Sequence, residues 1–357
     1  MEYNSKVMIG ERKISIHHPT YFIADIASNH DGDLNRAKEL IWKSKEAGAD
    51  AVKFQHFMAD KIVSDSGFRR IGNNASHQSN WDKSVYEVFK ENELDRSWNL
   101  ELIAEAKKAG IDFFTTPYDF EAVDDICEYL PAFKIGSGDI TWIDFIEYIA
   151  KKQKPTLLAT GASDFTDVKR AVSSITAFNP DIVLMQCNTN YSGGLENFRY
   201  INLRVLKSFA TMYPNMVLGL SDHTPGHSTV LGAITLGARV IEKHFTDDNE
   251  RIGPDHSFSM NPVTWSEMVE RARELEFALG DGVKVVEENE QETVILQRRG
   301  IYLKRKLHKG DILRIEDIDI LRPAPINGYF PYELDAILGI PLAKDKAKGE
   351  PLFKGDI

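Results

Sequence analysis

The sequence predicts an α/β chain, a (β/α)8 TIM barrel followed by a small β-rich domain. Three observations predict it. Eight short apolar runs alternate with amphipathic stretches over about 280 residues, the count and length of a barrel of eight βα units. The stretches between them carry apolar residues at i, i+3 and i+4 and stop at glycine, as in LNRAKELIWKSKEAG from Leu34 and SWNLELIAEAKKAG from Ser97. After the acidic segment VVEENEQET from Val285, the pattern changes to short runs and glycine turns, GIYLKRKLHKGDILRIEDIDILRP. The expected divisions are a barrel over 1–283, a linker over 284–297 and the small domain over 298–357. A doubly wound sheet is the rival architecture. It is disfavoured by eight regular units and by the lack of a Gly-rich phosphate turn after the first strand.

In order, the strands read YFIADIA from Tyr21, AVKFQ from Ala51, DFFTTP from Asp112 and FKIGSG from Phe133. They continue with PTLLATG from Pro155, IVLMQCN from Ile182, VLGLSDH from Val217 and VIEKHF from Val240. One connection breaks the rhythm. From His56 to about Asp95 a polar excursion separates the second strand from its helix, and a long βα insertion belongs to the catalytic face of a barrel.

Composition excludes several classes of function. The chain has 357 residues and a net charge of −11, which argues against nucleic-acid binding and against a polybasic membrane surface. No run of about eighteen apolar residues is present, so no transmembrane helix is expected. The N-terminal residues lack the apolar core of a secretion signal, and two cysteines are too few for a disulfide framework. A soluble, acidic, cytoplasmic α/β protein is the expectation. The charge is uneven: residues 298–357 hold 12 basic and 9 acidic side chains, a mildly basic tail on an acidic body.

Reactive residues of a barrel gather where its strands end. Asp25, Ser28, Asn29 and His30 follow the first strand, Lys53 and Gln55 lie in the second, and Thr115 and Thr116 end the third. Lys134 and Gly136-Ser137-Gly138-Asp139 mark the fourth, Thr160 the fifth, and Asn188-Thr189-Asn190-Tyr191 the sixth. Ser221, Asp222 and His223 close the seventh, and Glu242 and His244 the eighth. A lysine in an apolar strand must shed water from its ammonium, which is costly unless an anion answers it. Lys53 and Lys134 together favour a phosphate or carboxylate site over a buried salt bridge, with a Schiff-base lysine as the competing chemistry. His223 and His244 end adjacent strands, so their imidazoles can meet on one divalent ion completed by Asp255 or water.

The segments IASNHDGDL, GADAVKFQ, TTPYD, FKIGSGD, LLATG, GLSDHTPG, EKHF and GPDH resemble, in order along almost the whole chain, the sialic acid synthase family. That family includes the synthases for legionaminic and pseudaminic acids. The tail resembles the antifreeze-like (SAF) domain that ends those enzymes. The resemblance implies condensation of phosphoenolpyruvate with an open-chain N-acylated hexosamine, giving a nine-carbon 2-keto-3-deoxy acid and phosphate. It implies a divalent metal on His223 and His244, Mn2+ first, with Mg2+ or Co2+ as alternatives. Lys53, Thr116, Lys134, Ser137, Thr189 and Ser221 would hold phosphoenolpyruvate, with Thr160 in the phosphate loop. Gln55, Asn80, Tyr191 and Asp255 would face the sugar. Arg322 would reach the N-acyl group in a domain-swapped homodimer.

Three departures stand out. The family's Ser-Thr-Gly reads Ala159-Thr160-Gly161, and the catalytic acids, usually glutamates in the neuraminate branch, are Asp25 and Asp139. The segment after LRP is APINGY. These features bear on the sugar more than on the reaction, and a diacetamido-hexose is an expected substrate beside N-acetylmannosamine. The alternatives are a synthase of the Kdo-8-phosphate type acting on a phosphorylated sugar, and a non-catalytic glycan-related binding protein on the same fold.

Overall fold

The computed structural model describes residues 2–71, 81–191 and 193–357. The chain forms two compact units, Met1–Gly280 and Asp281–Ile357.

The first unit opens with a hairpin, β1 (Val7–Ile9) and β2 (Arg12–Ile14), which the sequence reading did not anticipate. Three-residue strands are too short to show a period. At the turn, Gly10 takes φ 57°, and a Cβ there would come 3.3 Å from the Asp112 carboxylate. Eight parallel strands follow: β3 (Tyr21–Asp25), β4 (Ala51–His56), β5 (Asp112–Pro117), β6 (Phe133–Ile135), β7 (Thr156–Ala159), β8 (Ile182–Cys187), β9 (Val217–Asp222) and β10 (Ala238–His244). Their order is β5-β4-β3-β10-β9-β8-β7-β6, and β5 packs beside β6, so the sheet nearly closes on itself. The eight expected strands are all present as a TIM barrel. The fourth is shorter than FKIGSG, because Ser137–Asp139 turns into a 3-10 helix and carries its polar side chains out of the strand.

Nearly every strand residue is buried, as a parallel sheet requires when helices cover its outer face and side chains fill its interior. The hairpin's Val7, Ile9 and Ile14 join Tyr21, Ala51, Phe114, Val183 and Val240 in one buried apolar cluster, which plugs the N-terminal end of the barrel. The opposite, C-terminal end is left for chemistry.

Local signals set the helix ends. The Asp33 carboxylate caps Leu34–Glu46 by accepting from the Asn35 and Arg36 N–H groups, and Ala37, Leu40 and Ile41 form its buried face. Asn99–Ala109 begins two residues after Ser97, because Asp95 first caps a 3-10 turn over Arg96–Trp98. It stops at Gly110, whose φ of 67° suits the left-handed terminus. The described part of the insertion contains the helices Ala59–Ile62, Asp65–Ile71 and Val85–Glu91.

The second unit pairs β11 (Gly300–Leu303) with β12 (Ile318–Leu321) in antiparallel register, around a core of Ile301, Leu303, Leu307, Leu313, Ile318, Ile337, Leu342 and Leu352. Residues 284–297 belong to this unit and include the helix Gln291–Gln297, whose Ile295 carbonyl accepts from the Ala324 N–H. Arg322 is exposed and precedes a cis proline. Among the described residues no helix is long and apolar enough to cross a membrane.

Candidate active site

The C-terminal ends of the barrel strands surround a cavity of about 290 Å3. Its polar lining holds Asp25, Lys53, Gln55, Thr116, Lys134, Ser137, Tyr191, Ser221, His223, His244 and Asp255, eleven of the residues expected from the sequence. Strand alternation explains the selection. Ser221 and His223, like Glu242 and His244, sit two apart and so share the inner face. The residues between them, Asp222 and Lys243, pair with each other away from the cavity, where Thr224 and Thr229 also bond the Asp222 carboxylate.

Lys53 and Lys134 are both almost fully buried, and their ammonium groups are answered within the protein. Lys53 Nζ lies 2.7 Å from Asp25 Oδ2, 3.0 Å from Thr116 Oγ1 and 3.4 Å from Glu242 Oε1. Lys134 Nζ donates to the same Glu242 Oε1 at 3.0 Å, and Ser221 Oγ does so at 3.3 Å. Burial pushes the Asp25 carboxyl up, but Lys53 and then His244 outweigh it and hold its pKa below the ordinary value. Burial likewise raises Glu242, and Lys134 and Lys53 reverse the sign. For Lys53, burial lowers the pKa and the two carboxylates more than restore it. Two cations and two anions thus form one ionised buried network. The sequence weighed anion binding against a buried salt bridge; in the free protein the lysines make the salt bridges, and their polar heads still line the cavity.

The two histidines converge, with ring centroids 5.3 Å apart. His223 Nδ1 lies 2.8 Å from the Asn188 carbonyl, which can only accept; the proton is therefore on Nδ1, and the Nε2 lone pair is free. Burial, then the neighbouring His244, lowers His223 to a pKa of about 3, so it is neutral at neutral pH. His244 Nδ1 is buried without a hydrogen-bond partner, and Nε2 stands 3.6 Å from Asp25. A neutral His223 with a free Nε2, beside His244 with an unbonded ring nitrogen, suits a divalent cation of intermediate softness. Among the described residues no group of three or more His, Cys, Asp or Glu completes such a set, so water or substrate oxygens would supply the remaining ligands.

Other expected residues lie elsewhere. Thr160 does not face the cavity: its hydroxyl is buried and bonds the Met185 carbonyl at 2.9 Å, and Ala159 is the lining residue of that loop. The departure from Ser-Thr-Gly therefore removes a hydroxyl that Thr160 does not replace. Thr189 is not in the lining either. It packs against Gly161, where an added Cβ would lie 2.5 Å from the Thr189 methyl carbon and 2.9 Å from Ser137 Oγ. The Gly161 N–H also donates to Ser137 Oγ at 2.9 Å. Gly161→Ala is expected to displace the Ser137 hydroxyl and raise the KM for the anionic substrate roughly tenfold, measured by steady-state kinetics. Asp139 sits just beyond the lining residue Gly138; burial raises its pKa to about 6, and its Oδ2 is buried without a partner. Asn80 lies outside the described residues. Arg322 belongs to the second unit.

Several lining residues were not singled out beforehand. Glu242, the hub of the ion network, was visible only as one strand-end carboxylate among many. Tyr118 and Cys187 stood inside strand-end motifs with nothing to mark them. The insertion, read as polar, contributes Phe57, Ile62, Trp81, Val88 and Phe89 to the wall. Phe57 could have been found as an apolar residue immediately after the second strand.

Residues 40–284 match the NeuB family and residues 298–357 match the SAF domain. The chain is 35% identical over 342 residues to the N,N'-diacetyllegionaminic acid synthase of Legionella pneumophila, covering 93% of each protein. It is 36% identical over 324 residues to the enzyme of that name from Campylobacter jejuni, covering 90% of this chain and 95% of that one. Among solved structures, N-acetylneuraminic acid synthetase from Leptospira borgpetersenii superposes with a TM-score of 0.69 at 28% identity, over 81% of this chain and 95% of that one. With a family match across most of the barrel, a SAF domain behind it and relatives covered almost end to end, the chain belongs to the NeuB family of sialic acid-type synthases.

Proposed function

We propose that this protein is a nonulosonic acid synthase. It joins phosphoenolpyruvate to the open-chain aldehyde of an N-acylated hexosamine and releases phosphate and a nine-carbon 2-keto-3-deoxy acid. The observation that carries the reading is the meeting, in one cavity, of two buried lysines with the paired histidines and two carboxylates. The names of its relatives agree with it.

Lys53 and Lys134, with the Thr116, Ser137 and Ser221 hydroxyls, receive the phosphate and carboxylate of phosphoenolpyruvate, in a site whose low dielectric strengthens each contact. Gln55, Tyr191 and Asp255 position the sugar, so that its aldehyde carbon faces the enol carbon. His223 and His244 would hold a divalent cation, and such an ion would supply Lewis-acid polarisation of an aldehyde oxygen. The enol carbon bonds to the aldehyde carbon, the C=O π pair moves onto the oxygen, which takes up a proton to become a hydroxyl, and positive charge develops at the carbon bearing the phosphate. Water adds there and loses a proton to a carboxylate; Asp139, next to the lining residue Gly138 and with its pKa raised by burial to about 6, would accept it. Phosphate then leaves as the ketone forms. The tail belongs to the same reading: in a homodimer, Arg322 meets the N-acyl group.

A phosphate-release assay tests this. Phosphoenolpyruvate with N-acetylmannosamine or a diacetamido-hexose should release phosphate only when Mn2+ is present. His223→Ala and His244→Ala should each lower kcat at least about 100-fold and weaken Mn2+ binding to the free protein measured by calorimetry. Arg322→Ala should raise the KM for the sugar but not that for phosphoenolpyruvate. Release only with a phosphorylated sugar would favour the Kdo-8-phosphate type. No release with any sugar would favour a binding protein.

A further inference from the structure

Two strand-end loops meet beside the cavity, and residues outside its lining tie them together. The loop after β10 carries Asp255, which lines the cavity. Among the described residues the Asp255 carboxylate has one hydrogen bond, accepted by Oδ2 at 3.1 Å from the Ser28 N–H in the loop after β3. The next residue, His256, is fully buried. Its Nε2 lies 2.8 Å from Asp31 Oδ1 and its Nδ1 lies 2.7 Å from Thr246 Oγ1, so both ring nitrogens are engaged. A carboxylate only accepts, which puts a proton on Nε2. The ring lies against Gly253, where an added Cβ would come 2.6 Å from His256 Cδ2. The imidazole therefore fixes the chain on both sides of the Pro254-Asp255 pair.

Asp31 is itself held from behind. Its Oδ2 accepts from Arg251 Nε at 2.9 Å and Nη2 at 2.7 Å, and Arg36 Nε lies 3.1 Å away. Asp31 sits at φ 51° and Ala27 at φ 46°, left-handed backbone that a non-glycine residue keeps only when its surroundings hold it there. Between them Asn29 is fully buried, and its Nδ2 donates to the Phe245 carbonyl and to Ser259 Oγ, each at 2.9 Å. Ser259 Oγ in turn donates to the Asp255 carbonyl at 2.6 Å. The short loop that grips His256 thus also presents the N–H that orients Asp255. We propose that Asp31 and His256 are positioning residues: their hydrogen bond locks the β3 loop to the β10 loop and aims the Asp255 carboxylate at the sugar. Neither residue lines the cavity. The inference rests on the synthase reading above, in which Asp255 positions the sugar, and adds to it the residues that hold Asp255 in place.

The test uses the full-length protein with Mn2+, phosphoenolpyruvate and whichever of N-acetylmannosamine and the diacetamido-hexoses releases phosphate, and reads the KM of each substrate separately. His256→Ala and Asp31→Ala should raise the sugar KM roughly 10- to 100-fold, the scale of a group misplaced by about 1 Å, and leave the KM of phosphoenolpyruvate unchanged. Asp31→Asn, a milder second change, should move the same KM in the same direction. His256→Gln keeps an amide N–H close to the Nε2 position and should recover most of the wild-type sugar KM. Asp255→Ala isolates the route: in that background the effect of His256→Ala should disappear, because the group it positions is gone. A merely structural role would lower the melting temperature without splitting the two KM values. Equal rises in both KM values, or an effect of His256→Ala that persists in Asp255→Ala, overturns the proposal and leaves the synthase reading intact. An unchanged sugar KM in the folded Asp31 and His256 variants does the same. No phosphate release by the wild type with any of these sugars overturns the synthase reading, and this proposal with it.

Discussion

Glu242→Ala is expected to destabilise the barrel by about 3–5 kcal/mol, the cost of breaking a buried ion pair from one side, and to abolish phosphate release. Its Oε1 takes Lys134 at 3.0 Å, Ser221 at 3.3 Å and Lys53 at 3.4 Å. Lys53 keeps Asp25 after the change, whereas Lys134 has no other ion pair among the described residues. The loss therefore falls on one buried ammonium. Because that ammonium borders an open cavity, entering water should place the effect toward the lower end. The pH dependence has a definite sign. Glu242 has a lowered folded pKa, so its contribution is present above the ordinary glutamate range and is lost as pH falls through the folded value. Denaturant unfolding of both proteins at pH 7.5 and pH 4 reads this. The gap should be large at pH 7.5 and narrower at pH 4. A gap below about 1 kcal/mol at pH 7.5 would mean that water replaces the carboxylate at little cost. Glu242→Gln, which keeps an acceptor oxygen, should be milder in stability and still inactive.

Asp139→Asn is expected to act in opposite directions on stability and on activity. Burial raises Asp139 from the ordinary 3.8 to about 6, so folding favours its protonated form. Its stability contribution is fully present below pH 3.8 and is lost as pH rises through about 6. At pH 7.5 the folded protein therefore holds an ionised carboxylate at a site that disfavours it, and the neutral amide removes that cost. The variant should be more stable by on the order of 1–3 kcal/mol at pH 7.5, and the gain should vanish near pH 4. If Asp139 is the base, kcat/KM in the wild type should rise with pH through an apparent pKa near 6. In Asp139→Asn that limb should be absent and the rate lower at least about 100-fold. A stable variant that keeps its rate and the acid limb would remove Asp139 from the chemistry.

The parts of the site that could be read in the sequence are those where a residue type is costly in its setting. Lys53 and Lys134 sit in otherwise apolar strands, and His223 and His244 end adjacent strands; each was found for that reason. Lys243 also sits in an apolar strand, one residue from His244, and its sequence context is as conspicuous. The sheet turns it outward to Asp222, so the same physical signal marks a structural pair there and a cavity-lining residue elsewhere. Thr160 illustrates the converse. It stands where a phosphate hydroxyl was expected, but its side chain bonds the Met185 carbonyl across to β8. The wall of the insertion was hidden because its apolar residues are spread over two short helices within a polar stretch, with no period long enough to detect.

The sequence by itself determined the eight-stranded barrel, the second domain and the family's chemistry, because strand and helix periods, strand-end motifs and their order are one-dimensional properties. The tertiary structure alone decided how the charges pair. That Glu242 answers both Lys53 and Lys134, that the Asn188 carbonyl sets the proton on His223, and that an apolar wall faces the ions all depend on side chains from distant strands meeting across the barrel mouth. Such contacts follow from strand register and loop path, and no local spacing in the chain records them.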